Sequence, residues 1–221
     1  MIRLHFVVEG QTEETFVRDL LSIDLHQYDV IADARRIATG RKHGRRYRGG
    51  FLSYQHLRKD VVLWLKQDRQ PDARFTSMVD LYRLPRDFPG LNDSPRLDPI
   101  KRAAFLEAEF ARDVGDHRFL PYLQVHEFEA LLFADPSAFA YAFPGRDDKI
   151  AALEEIRKAF ASPELIDDGD QTSPAKRFCA VFPDCEKVAV GAQVASRIGL
   201  NVMARECLHF RNWLEALRAL P

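Results

Sequence analysis

The chain has 221 residues, 46% of them apolar, with 32 Lys or Arg against 33 Asp or Glu and a net charge of −1. That length and apolar share suit one folded domain with at most a small elaboration, and they exclude general disorder. The charge balance excludes a uniformly basic nucleic-acid binder but leaves a local basic patch open. No apolar run approaches the ~20 residues needed to span a bilayer. Met1 to Val8 is too short and too soon followed by acid to read as a signal peptide. Cys179, Cys185 and Cys207 are odd in number and lack C-x-x-C spacing, which argues against a disulfide framework or a zinc knuckle. The expectation is a cytoplasmic protein with free thiols.

In chain order, Ile2 to Val8 (IRLHFVV) reads as a buried strand. Glu9-Gly10 turns the chain into a helical pattern from Glu13 to about Leu25, with Thr12 as the N-cap candidate. A second strand is expected within Tyr28 to Ile37. Thr39 to Gly50 (TGRKHGRRYRGG) is glycine and base with almost nothing apolar and reads as an exposed loop. Tyr54 to Leu65 is an amphipathic helix carrying Leu57, Val61, Trp64 and Leu65. Arg74 to Leu81 is a strand ending near Asp80, and Arg83 to Pro99 a long loop. Ile100 to Val114 is a helix. Arg118 to Val125 is a strand that Pro121 marks as an edge or a bulge. A helix starts at Phe128, and its stripe of Phe128, Leu131, Leu132 and Phe133 is core. Beyond Asp135 the pattern is helical over Lys149–Phe160, Pro174–Phe182, Lys187–Ile198 and His209–Leu220. Strands alternating with helices predict an α/β fold with a mostly parallel central sheet flanked by helices and a helical C-terminal third covering one side. The expected division is a 1–135 α/β core, with a basic loop over 35–50, and a 136–221 helical elaboration packed on it.

In an open parallel sheet, ligands bind at the carboxyl ends of the strands. Three expected strands end in acids: Glu9, Asp80, and Glu127 beside His126. Such acids would converge, raise one another's pKa, and be relieved by a cation. Hard oxygen ligands suit Mg²⁺ or Mn²⁺, which can activate water and steady charge developing on a phosphate. The plainer alternative is that each acid caps a helix or forms a turn.

The block VEGQTE over residues 8–13 resembles the V-E-G signature that opens Toprim domains. VVEGQTEETFV, MVDLYRLPRDFPG, VHEFEALLFAD, TSPAKR and IGL…CLHFRNWLEAL, in that order over almost the whole chain, are similar to a bacterial family catalogued as domain of unknown function 4276. The Toprim resemblance implies a compact sheet with flanking helices, an acid after the first strand, and a D-x-D pair after a later one. Glu9 matches the first acid and Asp80 the first aspartate of the pair. Tyr82 stands where the second aspartate should be, so Glu127, or less readily Glu129 or Asp87, would have to supply the missing ligand. The chain has no room for the strand-passage domains of a topoisomerase, which leaves the nuclease branch as the analogy. The family resemblance also implies an ATPase partner and an anti-phage or genome-maintenance setting.

Arg35, Arg36, Arg41, Lys42, Arg45, Arg46 and Arg48, with His43 and Tyr47 interleaved, would follow a phosphate backbone in DNA or RNA, or else form a solvated loop or dock an acidic partner. His126 is a candidate metal ligand or general acid, or a capping or core histidine. Lys176 and Arg177, after Ser173-Pro174, would clamp a phosphate or sit in an exposed first turn. His209 near Trp213 and Cys207 read as structural. No P-loop, G-x-G-x-x-G or G-x-S-x-G motif is present. The reading is therefore a metal-dependent phosphodiester hydrolase. Glu9, Asp80 and Glu127 would be both catalytic residues and metal ligands, and Arg41, Lys42, Arg45, Arg46, Arg48 and Lys176 would bind nucleic acid. The alternative is a non-catalytic ATPase subunit with a degenerate acidic pocket.

Overall fold

A computed structural model describes residues 1–37, 53–82, 84–95, 98–166, 172–183 and 187–221. Residues 38–50 of the expected basic loop, with Arg41, Lys42, Arg45, Arg46 and Arg48, lie outside the described residues, as does Cys185.

The chain begins with β1 (Ile2–Val8), α1 (Gln11–Phe16), a π-helical stretch (Val17–Leu21) and α2 (Ser22–His26). The N-cap is Gly10 rather than Thr12. Glu13, three residues on, reaches back so that its Oε2 accepts the Gly10 N–H at 2.8 Å, one half of a capping box. The edge strand β2 (Val30–Arg36) follows. Arg35 and Arg36 thus belong to a strand, not to a loop. Arg35 lies 4.1 Å over the Trp64 ring and Arg36 pairs with Glu14 at 3.1 Å.

Next come α3 (Tyr54–Gln67), β3 (Ala73–Asp80) and α4 (Pro99–Val114). Asp98 caps α4 by accepting the N–H groups of Ile100 and Lys101, with Pro99 at the first helical position. Asp87 Oδ1 accepts the Tyr54 N–H at 2.9 Å, so this candidate ligand is spent at the start of α3.

Pro121 divides the next strand into β4 (Phe119–Leu120) and β5 (Leu123–Gln124), both pairing with β3. Phe119 lies opposite Phe75 and Leu123 opposite Val79, the same offset, so the strand is broken without a bulge. Pro121 removes a ladder donor, and the Ser77 hydroxyl spans the gap, bonding both Tyr122 N and Tyr122 O at 3.0 Å. The sheet is wholly parallel in the order β2-β1-β3-β4, with β5 beside β3.

The rest of the chain is helical: α5 (Glu129–Leu132), α6 (Phe139–Ala142), α7 (Asp147–Lys158), α8 (Pro174–Val181), α9 (Lys187–Ile198), α10 (Leu200–Glu206) and α11 (Leu208–Arg218), with single 3-10 turns at Pro136–Ala138 and Pro163–Leu165. The sequence pattern anticipated α7, α8, α9 and α11 but neither α6 nor α10.

Strand alternation splits the core into two layers. Leu4, Phe6, Val8 and Met78 join α1, α2 and the C-terminal helices on one face of the sheet. Val7, Phe75 and Val79 join α3 and α4 on the other. Within the first layer Trp213 stacks on Tyr122 with centroids 4.0 Å apart, meets Phe6 edge-on, and donates its Nε1–H to Thr76 Oγ1 at 3.0 Å. His209 serves the packing expected of it, since its Nε2 bonds Glu107 Oε1 at 2.8 Å and its ring stacks on Tyr122. Cys207 is fully buried, and burial, with Glu164 nearby, pushes its thiol well up, which leaves it inert. Among the described residues no helix is long and apolar enough to cross a membrane.

Candidate functional site

The strand order places the carboxyl ends of β1, β3 and β5 side by side, and each ends in an acid or is followed by one within three residues. Glu9 is the residue after β1. Its Oε2 accepts the Asp80 N–H at 3.2 Å, tying the first acid to the end of β3. Asp80 closes β3, and its Oδ1 accepts the Phe128 N–H at 3.0 Å, tying β3 to the start of α5. Between β5 and α5 the buried His126 takes a left-handed backbone, φ 61°, a conformation a non-glycine residue adopts at some cost. Its carbonyl accepts the Tyr82 N–H at 2.9 Å. Glu127 follows, and its Oε2 accepts the Ala175 N–H at 3.0 Å, in the first turn of α8. A carboxylate at a helix N-terminus is favoured by the exposed N–H groups and the helix dipole. The capping role thus holds for Glu127 alongside its place in the cluster.

The structure brings Glu9, Asp80 and Glu127 into one electrostatic cluster and adds two acids. Burial, then the charge of Glu13, pushes Glu9 up to about 7. Burial, then the charge of Glu129, pushes Glu13 up to about 6 against the opposing pull of backbone hydrogen bonds. Asp80 is raised well above the usual carboxylate range by burial and then by Glu9, Glu13, Glu129 and Glu127. The sequence pattern alone does not point to Glu13, and it places Glu129 behind Glu127 as a ligand. Glu13 is only 7% exposed although it sits in the first turn of a helix. The local signal for it is its position three residues after Gly10. A Cβ on Gly10 would stand 3.1 Å from Glu13 Oε2, so the glycine leaves room for that carboxylate.

Lys176 is exposed on the first turn of α8, one residue beyond the N–H that Glu127 accepts. Arg177 is turned away from any such role, with its Nε–H on Thr172 O at 2.7 Å and its guanidinium 5.4 Å over the Phe160 ring.

The donor set is hard oxygen under mutual repulsion, which suits Mg²⁺ or Mn²⁺ in charge and ligand type. Glu9, Asp80 and Glu127 each spend one oxygen on a backbone N–H, however. Among the described residues no three His, Cys, Asp or Glu side chains stand as a group that could hold a metal ion.

Fold and site define a parallel-sheet α/β protein with a part-buried carboxylate cluster at the carboxyl edge of its sheet. The chain belongs to the family described as Domain of unknown function (DUF4276), whose family model matches residues 8–218. No curated protein and no solved structure matches it.

Proposed function

We propose that this chain is a metal-dependent phosphodiester hydrolase, a Toprim-like nuclease that works with an ATPase partner in anti-phage defence or genome maintenance. The observation that carries the reading is the clustering of Glu9, Asp80 and Glu127, with Glu13 and Glu129, at one edge of a parallel sheet. Buried like charges raise one another's protonation, and a hard divalent cation relieves that repulsion better than protons do near neutral pH. Glu9, Asp80 and Glu127 would hold Mg²⁺ or Mn²⁺. When bound, such an ion supplies a nucleophile from water and neutralises charge on a scissile phosphate. Lys176 would meet a phosphate oxygen beside the cluster, and Arg41, Lys42, Arg45, Arg46 and Arg48 would follow the nucleic-acid backbone.

The second reading is a non-catalytic subunit of an ATPase with a degenerate pocket. Tyr82 in place of a second aspartate favours it, and so does the lack, among the described residues, of a ready three-ligand group.

The deciding assay is Mn²⁺-dependent cleavage of DNA and RNA, with and without the ATPase partner. The expected result is cleavage that EDTA blocks and that Glu9→Gln loses while keeping its fold. Replacing Arg41, Lys42, Arg45 and Arg46 by alanine should weaken nucleic-acid binding and flatten its salt dependence, because fewer counterions are released. Equal cleavage by wild type and Glu9→Gln would remove the site. No cleavage by either, with metal and partner present, would hand the case to the non-catalytic reading.

A further inference from the structure

On the opposite face of the sheet from the C-terminal helices lies a second polar cluster, built around His5 in the middle of β1. Its side chain is 11% exposed. Nδ1 lies 2.6 Å from Asp33 Oδ1 on β2, and Nε2 lies 2.9 Å from Asp68 Oδ2, just past the end of α3. The ring is packed between Trp64, 4.6 Å away, and Phe75, 5.0 Å away.

A neutral imidazole carries one N–H and one bare lone pair, and an ionised carboxylate only accepts. Two carboxylates facing the two ring nitrogens are both satisfied only when both nitrogens carry a proton. The neighbouring charges agree with that state. Arg3, on β1, pairs with Asp68 at 3.1 Å and Asp72 at 2.9 Å. From β2, Arg35 covers Trp64. From the α4–β4 connection, Arg118 lies 5.3 Å from the Phe75 centroid and donates to Asp68 O at 2.8 Å. The carboxylates are thus the charged groups in direct contact with the ring, and the cations stand one step behind them.

We propose that His5 is held as an imidazolium and acts as a proton-operated clamp. It fastens the edge strand β2 through β1 to the α3–β3 connection and releases it as the pH rises. Among the described residues β2 is joined along one edge, to β1. The Asp33–His5–Asp68 bridge therefore adds a side-chain tie to a strand that the ladder holds from one side.

The sign follows from the geometry. Burial alone would lower the His5 pKa, but the hydrogen bonds and charges of Asp33 and Asp68 outweigh it and raise the value. A base raised in the native state contributes stability that is fully present below the unfolded value and is lost as the pH rises through the native one.

The test is an NMR titration of the His5 ring in the full chain, assigned by through-bond correlation, together with thermal melts over the same range. The native midpoint should lie above the ordinary ~6.5 of a histidine. Asp33→Asn should bring it down, because a neutral amide no longer stabilises the imidazolium, and the fold should survive because Asp33 is half-exposed. Melts should show a stability loss, as the pH rises through that midpoint, that His5→Gln lacks, since a neutral amide has no proton to release there. A native midpoint at or below ~6.5, or one that Asp33→Asn leaves in place, overturns the clamp. The Asp33→Asn titration decides the matter even if His5→Gln does not fold.

Discussion

Free Mn²⁺ at a hundred times its dissociation constant should raise the unfolding free energy by ~2.7 kcal/mol at about pH 8, and Glu9→Gln or Asp80→Asn should abolish the gain. The pH dependence makes the expectation sharper. Glu9 and Glu13 hold their protons up to about 7 and about 6 in the native state, against ~4.3 for an unperturbed glutamate. Between those values the native protein binds more protons than the unfolded chain. Its stability therefore falls as the pH rises from the unfolded value through the native ones, and the loss persists above them. A metal needs the ionised form, so its stabilisation should be small at about pH 5 and large at about pH 8. Without metal at about pH 8, Glu9→Gln should be more stable than the parent chain, on the order of 1–3 kcal/mol, because it removes one buried charge. It can also keep an oxygen facing the Asp80 N–H. Differential scanning calorimetry with and without Mn²⁺ reads all of this. An equal Mn²⁺ gain in Glu9→Gln would place metal binding elsewhere on the protein.

Trp213→Ala should destabilise the fold by ~3–5 kcal/mol, enough to unfold a domain of ordinary stability. The indole stacks on Tyr122, meets Phe6 and Phe210, and bonds Thr76. It thereby joins α11 to β1, β3 and the break between β4 and β5. Trp213→Phe keeps an aromatic ring there but loses the Nε1–H to Thr76 Oγ1, for an expected cost of ~1–3 kcal/mol. Urea unfolding midpoints of the two variants give the comparison. A loss below ~1 kcal/mol for the alanine variant would mean that the layer closes over the gap.

What could be read from the sequence was mostly local. β1 is legible because an apolar run ends abruptly at Glu9-Gly10, and the β4–β5 break because Pro121 lacks an N–H. Asp80 and Glu127 were legible as acids after strands. Glu13 was not, because a glutamate in a first helical turn usually lies in water, where it complements the dipole. Its burial depends on distant residues: α9 packs against α1, with Gly191 so close that a Cβ there would stand 3.4 Å from Thr12 Cγ2. The helix α10 was missed because Gly199, with φ 77°, reads as a stop and here begins the next helix instead. The carboxylates' use of their oxygens on backbone N–H groups is likewise invisible in a one-dimensional pattern, since each partner lies 48 residues or more away in sequence.

The proline break leaves the β4–β5 margin of the sheet dependent on side chains where a continuous strand would use its backbone. The half nearer the carboxylates, β5, keeps only two residues in the ladder. Much of its anchorage comes from side chains: the Ser77 hydroxyl at Tyr122, and Glu107, whose Oε1 accepts the Leu123 N–H at 2.7 Å. Two backbone bonds beyond the strand, Leu81 N–H to Gln124 O and Tyr82 N–H to His126 O, both 2.9 Å, continue the pairing with the end of β3. Tyr122, Leu123, Gln124 and Val125 are fully buried, so the wall that carries Glu127 is held by side-chain packing and side-chain hydrogen bonds more than by its backbone ladder.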